Sequence, residues 1–149
     1  MVRSVLLIGY GNPGRRDDGL GPALVSRLEG EELPGVDLQA DYQLNIEHAH
    51  DLATYDVVIF ADAATSEHAA SFYFREFEAG NPTSFSTHSM SPEAVMRLAG
   101  DLFQAETKAY VFGITGFEFD EIAEGLTKQA ETNLKEAEAF IRNWLSEVT

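Results

Sequence analysis

Cysteine is absent from this 149-residue chain. Disulfide frameworks, thiolate metal sites and cysteine nucleophiles are therefore excluded. Basic residues are also scarce, because 10 lysines and arginines stand against 25 acids and give a formal net charge of −15. A chain with this charge repels phosphate backbones and anionic lipid surfaces, so we expect neither nucleic acid nor a membrane as its partner.

Long hydrophobic runs are missing too. No apolar run approaches the roughly 18 residues that indicate a transmembrane helix, and the N-terminal run at residues 5–8 is too short for the core of a signal peptide. We therefore expect a soluble cytoplasmic protein. The composition, 44% hydrophobic and 23% charged, is typical of a globular chain. The length predicts a single domain over residues 1–149, and we expect a monomer by default.

Buried strands and amphipathic helices alternate along the chain. Hydrophobic runs and alternation predict strands over residues 5–8, 36–42, 57–61, 71–77 and 109–114. Helical spacing of apolar residues predicts helices over residues 22–28, 46–54, 92–102 and 124–147. The class is therefore α/β: a three-layer sandwich with a mostly parallel, twisted sheet of about five strands and helices on both faces. The segment 71–77 fits an edge or antiparallel strand. Pro22 is expected at the first position of its helix and Ser91 at an N-cap.

Reactive side chains lie in three loops of this predicted fold. Asp17 and Asp18 follow the first strand, Asp62 follows the strand at 57–61, and His88 precedes the helix capped by Ser91. Ligands of open α/β sheets bind outside the carboxyl ends of the strands, so we expect these groups at one edge. Two carboxylates and an imidazole are a ligand set for a divalent cation with open positions, and they also suit acid–base chemistry.

Structural interpretations of the same residues are open as well. Asp17 or Asp18 alone fits a cap at the positive end of the following helix. Asp62 is harder to explain in this way, since an acid directly after a strongly apolar strand risks burial without a partner. His48 and His50 are two residues apart and are expected at the surface rather than as ligands.

The glycine loop has a second interpretation. Residues 9–14 read GYGNPG, which satisfies the dinucleotide fingerprint G-x-G-x-x-G after a strand, with acids 20 or so residues further on. Asp17 and Asp18 would repel a pyrophosphate, although Arg15 and Arg16 offset that, and Pro13 removes one amide donor. The structural alternative is a tight strand-to-helix turn. Motifs of serine-elbow hydrolases, zinc-helix proteases and P-loop enzymes are not found in the sequence.

Three motifs, taken in order, resemble the hydrogenase maturation proteases. They are GYGNPGRRDDGLG at residues 9–21, Asp62 after its apolar strand, and THS at residues 87–89; VFGI at 111–114 and FEF at 117–119 are also similar to this family. Its members are endopeptidases that trim the C-terminus of the large subunit of nickel–iron hydrogenases. The resemblance implies a twisted sheet sandwiched by helices and an aspartic-type endopeptidase acting on a nickel-loaded large-subunit precursor.

The resemblance also implies a catalytic and metal-binding trio, Asp18, Asp62 and His88. Some members carry glutamate where Asp18 stands. No tightly bound cofactor is expected, because the nickel is recognised in the substrate and the trio would complete its coordination. Either a metal-held water or a water activated by a carboxylate base would then attack the peptide carbonyl. Residues 41–44, DYQL, depart from the glycine-rich version of some members and leave the substrate preference open.

Two other classes of function compete with this one. Peptidyl-tRNA hydrolases also begin with a strand and a GNPG loop, here residues 11–14, but RRDD at 15–18 replaces their usual Thr-Arg-His-Asn, and the net charge opposes tRNA binding. A non-enzymatic module that binds a dinucleotide or a metal is the third reading.

Overall fold

The sheet lies at the centre of the computed structural model, which describes residues 3–66, 70–79 and 90–149. Within these residues the strands are β1 (Val5–Tyr10), β2 (Val36–Asp41), β3 (Val57–Ala64), β4 (Phe72–Phe77) and β5 (Lys108–Thr115). The α-helices there are α1 (Leu20–Glu29), α2 (Ile46–Leu52), α3 (Pro92–Phe103) and α4 (Lys128–Val148). A 3-10 turn over Arg16–Gly19 precedes α1. None of the helices in this part of the chain is long and apolar enough to cross a membrane.

The five strands pair in the order β2-β1-β3-β5-β4. Neighbours are parallel from β2 through β5, and β4 is antiparallel to β5 at the edge. The predicted class, α/β with a mostly parallel sheet, is confirmed. The antiparallel edge strand expected at 71–77 is also confirmed, because β4 lies there.

Helices cover both faces of the sheet, because successive side chains of a buried strand point to opposite sides. Val5 and Leu7 of β1 pack with α1 and α4 on one face. Leu6 and Ile8 pack with α2 and α3 on the other. All four are fully buried. This double burial explains why β1 reads as a continuous apolar run rather than as an alternating one.

Several element boundaries differ from the sequence prediction, those of α1, β3 and α4 among them. Helix α1 begins at Leu20, so Pro22 is its third residue rather than its first; the position is tolerated because amides of the first turn have no partner within the helix. Strand β3 continues to Ala64, so Asp62 lies within it and not after it. Helix α4 begins at Lys128 rather than near 124, because the Thr127 hydroxyl caps it by accepting from the Ala130 amide at 3.2 Å.

Candidate active site

Asp17 fastens the loop between β1 and α1 to the segment before α4. Its Oδ2 accepts hydrogen bonds from the amides of Phe117 (2.8 Å) and Glu118 (3.1 Å) and from the Thr127 hydroxyl (2.8 Å), and its Oδ1 accepts from the Thr127 amide (2.8 Å). Burial by itself raises the pKa of Asp17, but these hydrogen bonds outweigh it and hold the pKa below its usual value. Asp17 therefore acts as an ionised internal anchor, and its side chain does not cap a helix.

Asp18, the next residue, lies beside the end of β1. Its Oδ2 accepts a hydrogen bond from the Asn12 amide at 2.9 Å, and it makes no side-chain capping bond to the turn or to α1. Gly11 borders both Asp18 and Asp62: a Cβ there would overlap the Asp18 carbonyl oxygen and lie 3.8 Å from Asp62 Oδ1. The φ of Gly11 is 140°, a conformation that favours glycine. A side chain at this position would thus collide with the Asp18 backbone and approach the Asp62 carboxyl.

Asp62 is the most perturbed acid of this edge. Its Oδ1 accepts from the Ala63 amide at 2.7 Å. Burial is the main reason why the pKa of the Asp62 carboxyl is raised to about 7, and the charge of Asp18 raises it further. The hydrogen bonds from the Ala63 amide and the Tyr10 hydroxyl act in the opposite direction and lower this pKa. The charge of Asp18 thus acts on Asp62 from the neighbouring loop. A carboxyl with this pKa exchanges its proton near neutral pH, as a general acid or base must.

One row of residues crosses the whole sheet at this level. Asp41 of β2 is paired with Tyr10 of β1. Further along the row, Asp62 of β3 is paired with Gly113 of β5, which in turn is paired with Tyr73 of β4. Tyr10 and Asp62 each lie one residue beyond a paired position of β1 and β3. The Tyr73 ring occupies the space that a Cβ of Gly113 would need, so it lies across the backbone next to Asp62.

Two tyrosines near Asp62, Tyr10 and Tyr73, were not predicted from the sequence. Burial raises the pKa of the Tyr10 hydroxyl above its usual value, and the charges of Asp62, Tyr73 and Glu93 raise it further. Tyr10 therefore stays protonated and can donate to the Asp62 carboxylate. Tyr10 could have been found from the sequence, because it lies two residues beyond Ile8 and so on the same face of β1. Tyr73 reaches the site only through the register of β4, which the sequence does not show.

The third predicted residue, His88, lies outside the described residues. Among those described, no group of three acids or histidines gathers closely enough to hold a metal ion. The first turn of α3 does approach the site, because the charge of Glu93 acts on Tyr10. The structure therefore brings together Asp18 and Asp62 of the predicted trio, and the role of each of the three stays a prediction.

His48 is buried at the N-terminus of α2, so the expectation that it lies at the surface was wrong; His50 is exposed as expected. His48 Nδ1 accepts from the Asn45 amide at 2.9 Å, which completes a capping box, and Nε2 lies 3.5 Å from Asp41 Oδ2. The spacing Asn-x-x-His before an apolar helix was the available signal.

The glycine loop uses its own amides. The Gly11 amide donates to the Asp41 carbonyl at 3.0 Å, the Asn12 amide to Asp18, and the Gly14 amide to Asn12 Oδ1 at 2.8 Å. A dinucleotide fingerprint needs such amides for the pyrophosphate. Their internal pairing favours the interpretation as a strand-to-helix turn.

Several solved structures with the same architecture are maturation proteases of hydrogenases. The NiFe hydrogenase maturation protease HycI from Thermococcus kodakarensis KOD1 superimposes with a TM-score of 0.75 at 19% identity, over 97% of this chain and 93% of that one. The maturating endopeptidase HybD from E. coli gives 0.74 at 23% identity, over 97% and 93%. The chain has the fold of the hydrogenase maturation proteases.

A third structure extends this likeness. The hydrogenase 2 maturation peptidase from a Thaumarchaeota archaeon superimposes with a TM-score of 0.70 at 22% identity, over 96% of this chain and 98% of that one. No protein-family model and no curated protein matches the chain. The fold expected from the resemblance is thus confirmed over nearly the full length of the chain, and the chemistry has to be argued from the site.

Proposed function

We propose that this protein is an endopeptidase that removes the C-terminal extension of a nickel-loaded nickel–iron hydrogenase large-subunit precursor. The observation that carries the proposal is that Asp18 and Asp62 both border Gly11 and that the charge of Asp18 acts on Asp62, at the carboxyl edge of a sheet with the maturation-protease fold. Ligands of open α/β sheets bind at this edge. The neighbours named above are described as proteases or endopeptidases of hydrogenase maturation, which supports the substrate class.

Each member of the proposed trio has a role. Asp18 and Asp62 supply oxygen donors and His88 a nitrogen donor to the nickel that the precursor carries, so the ion is part of the substrate and positions the peptide. Asp62 takes the proton of the water whose oxygen attacks the peptide carbonyl carbon. When the C–N bond breaks, that proton passes to the leaving amine. We place this aspartic-type reaction in the cytoplasm, with the chain acting as a monomer and without a resident cofactor.

The test is incubation of the purified chain with nickel-loaded and nickel-free large-subunit precursors, followed by mass spectrometry of the precursor. We expect loss of a C-terminal peptide only from the loaded form. Asp18→Asn, Asp62→Asn and His88→Ala should each abolish this loss, whereas Asp120→Asn, at an exposed site, should retain it. Full activity of one trio variant would remove that residue from the mechanism, and equal processing of both precursors would contradict the recognition of nickel.

A further inference from the structure

A groove of about 200 Å³ opens next to the candidate active site. It forms because β1 leads into α1 on one face of the sheet and β2 leads into α2 on the other, so the two loops diverge at the carboxyl edge. The groove is lined by Gly11, Pro13, Pro22, Ala40, Asp41 and Tyr42. Because Gly11 also borders Asp18 and Asp62, the groove and the site share a wall.

Asp41 is one of the residues that line this groove. Its Oδ1 accepts from the Tyr42 amide at 2.8 Å, and its Oδ2 lies 3.5 Å from His48 Nε2. Because Nδ1 of His48 accepts from the Asn45 amide, the proton of the neutral ring lies on Nε2, which faces Asp41. The Asp41 side chain is nevertheless 45% exposed. The Asp41 carboxylate is thus held by the Tyr42 amide and His48 and is still accessible to solvent.

The remaining walls are apolar or aromatic. Tyr42 is 69% exposed, an unusual position for so large a ring. The lining residues include no base. Arg16 of the neighbouring loop points elsewhere, because its guanidinium contacts the Glu124 carbonyl at 3.4 Å and Glu121 at 3.6 Å. An apolar wall, an exposed ring and one fixed carboxylate suit a cation on a hydrocarbon stem.

We propose that this groove is a subsite for a basic side chain of the substrate protein, with arginine preferred over lysine. The stem would lie along Pro13 and Pro22, and the guanidinium would pair with Asp41 and stack on Tyr42. Arginine is favoured because its planar group can do both at once. That the ligand belongs to a substrate protein rests on the proposed function, whereas the chemistry of the groove does not.

The test uses the full-length, isotope-labelled chain and small probes. N-acetyl-arginine amide, N-acetyl-lysine amide and the neutral isostere N-acetyl-citrulline amide are titrated while backbone amide shifts are followed by NMR. We expect saturable shifts at Gly11, Ala40 and Tyr42 with the arginine probe. Binding should be about fivefold weaker for citrulline, and also for the arginine probe with Asp41→Asn, as expected for loss of one partly exposed charge pair. Asp37→Asn, on the same strand, is the matched control and should bind like the parent.

The outcomes separate this proposal from the proposed function. Equal binding of citrulline and arginine, unchanged binding in Asp41→Asn, or shifts spread over the acidic surface would overturn the subsite. Tyr42→Ala should also weaken arginine binding and gives a second variant that leaves the Asp41–His48 pair in place. If the arginine probe binds as expected but no loaded precursor is cut, the subsite stands and the peptidase proposal fails.

Discussion

Replacement of Asp62 by asparagine should stabilise the protein, and increasingly so as the pH rises. The folded-state pKa of Asp62, about 7, lies above its ordinary value of 3.8. Its contribution to stability is therefore complete below the ordinary pKa and is lost as the pH rises toward the folded pKa. Asparagine does not ionise, and its carbonyl oxygen can still accept the Ala63 amide. The variant escapes this loss.

The magnitude follows from linkage. Each unit of pKa difference corresponds to about 1.4 kcal/mol, so three units put a ceiling of about 4 kcal/mol on the destabilisation at high pH. At pH 5 roughly a third of it is already present, because the unfolded carboxyl is ionised there. The difference in free energy of unfolding between variant and parent should therefore grow by about 2–3 kcal/mol between pH 5 and pH 8.

Urea denaturation at pH 5, 6.5 and 8 measures this difference, with EDTA present to remove divalent cations. The fluorescence of Trp144, the single tryptophan, reports unfolding because its ring packs on Phe74 and Tyr110. Asp120→Asn, at an exposed position, should stay within about 0.5 kcal/mol of the parent at every pH. A stability difference for Asp62→Asn that is the same at all three pH values would refute the reasoning.

Three further predictions concern the packing around the site, and urea denaturation tests each of them. Asp17→Ala removes a buried acceptor of four hydrogen bonds and should lower the free energy of unfolding by at least about 3 kcal/mol. Because the folded-state pKa of Asp17 is lowered, the parent should itself lose this contribution as the pH falls through that pKa. A loss under about 1 kcal/mol at pH 7 would argue against an anchor. Gly11→Ala should destabilise the protein by several kcal/mol, because the added Cβ overlaps the Asp18 carbonyl oxygen and the backbone φ is positive. Gly100→Ala is the control: nothing lies within 4 Å of its added Cβ, so it should stabilise α3 by about 0.5–1 kcal/mol. Similar effects at the two glycines would contradict this prediction. Gly113→Ala should destabilise by about 1–3 kcal/mol in the parent but much less in Tyr73→Ala, because that ring occupies the space; additive effects would show that the ring does not.

The layers of the fold could be predicted because the local signals agree. The apolar runs of β1, β3 and β5 have the length and β-branched content of strands buried on both faces, and Ser91 with Pro92 marks the start of α3. The meeting of Asp18 and Asp62 was expected for the same reason, since the carboxyl ends of parallel strands share one edge. The strand order could not be read, because it depends on which pairs of strands meet in space.

The missed features depend on distant partners. Helix α4 begins later in the sequence than predicted because Asp17, more than a hundred residues away, binds Thr127, the residue before the helix. Asp62 lies within β3 because the strand keeps pairing with β5 as far as Ala64, which no local stop signal indicates. His48 is buried because it closes the N-terminus of α2 with Asn45. Asp17, Asp62 and His48 are all polar, and the hydrogen-bond partner of a polar side chain cannot be predicted from its neighbours in the sequence.

The anchor formed by Asp17 ties the shape of the candidate site to residues far along the chain. Its donors lie 100 to 110 residues further along, at Phe117, Glu118 and Thr127. The turn that carries Asp18 therefore acquires its final shape only after β5 has joined the sheet and the last helix has begun. Contacts of such long sequence separation form late in folding. A growing polypeptide would thus form its first strands and helices well before the candidate site took its final shape.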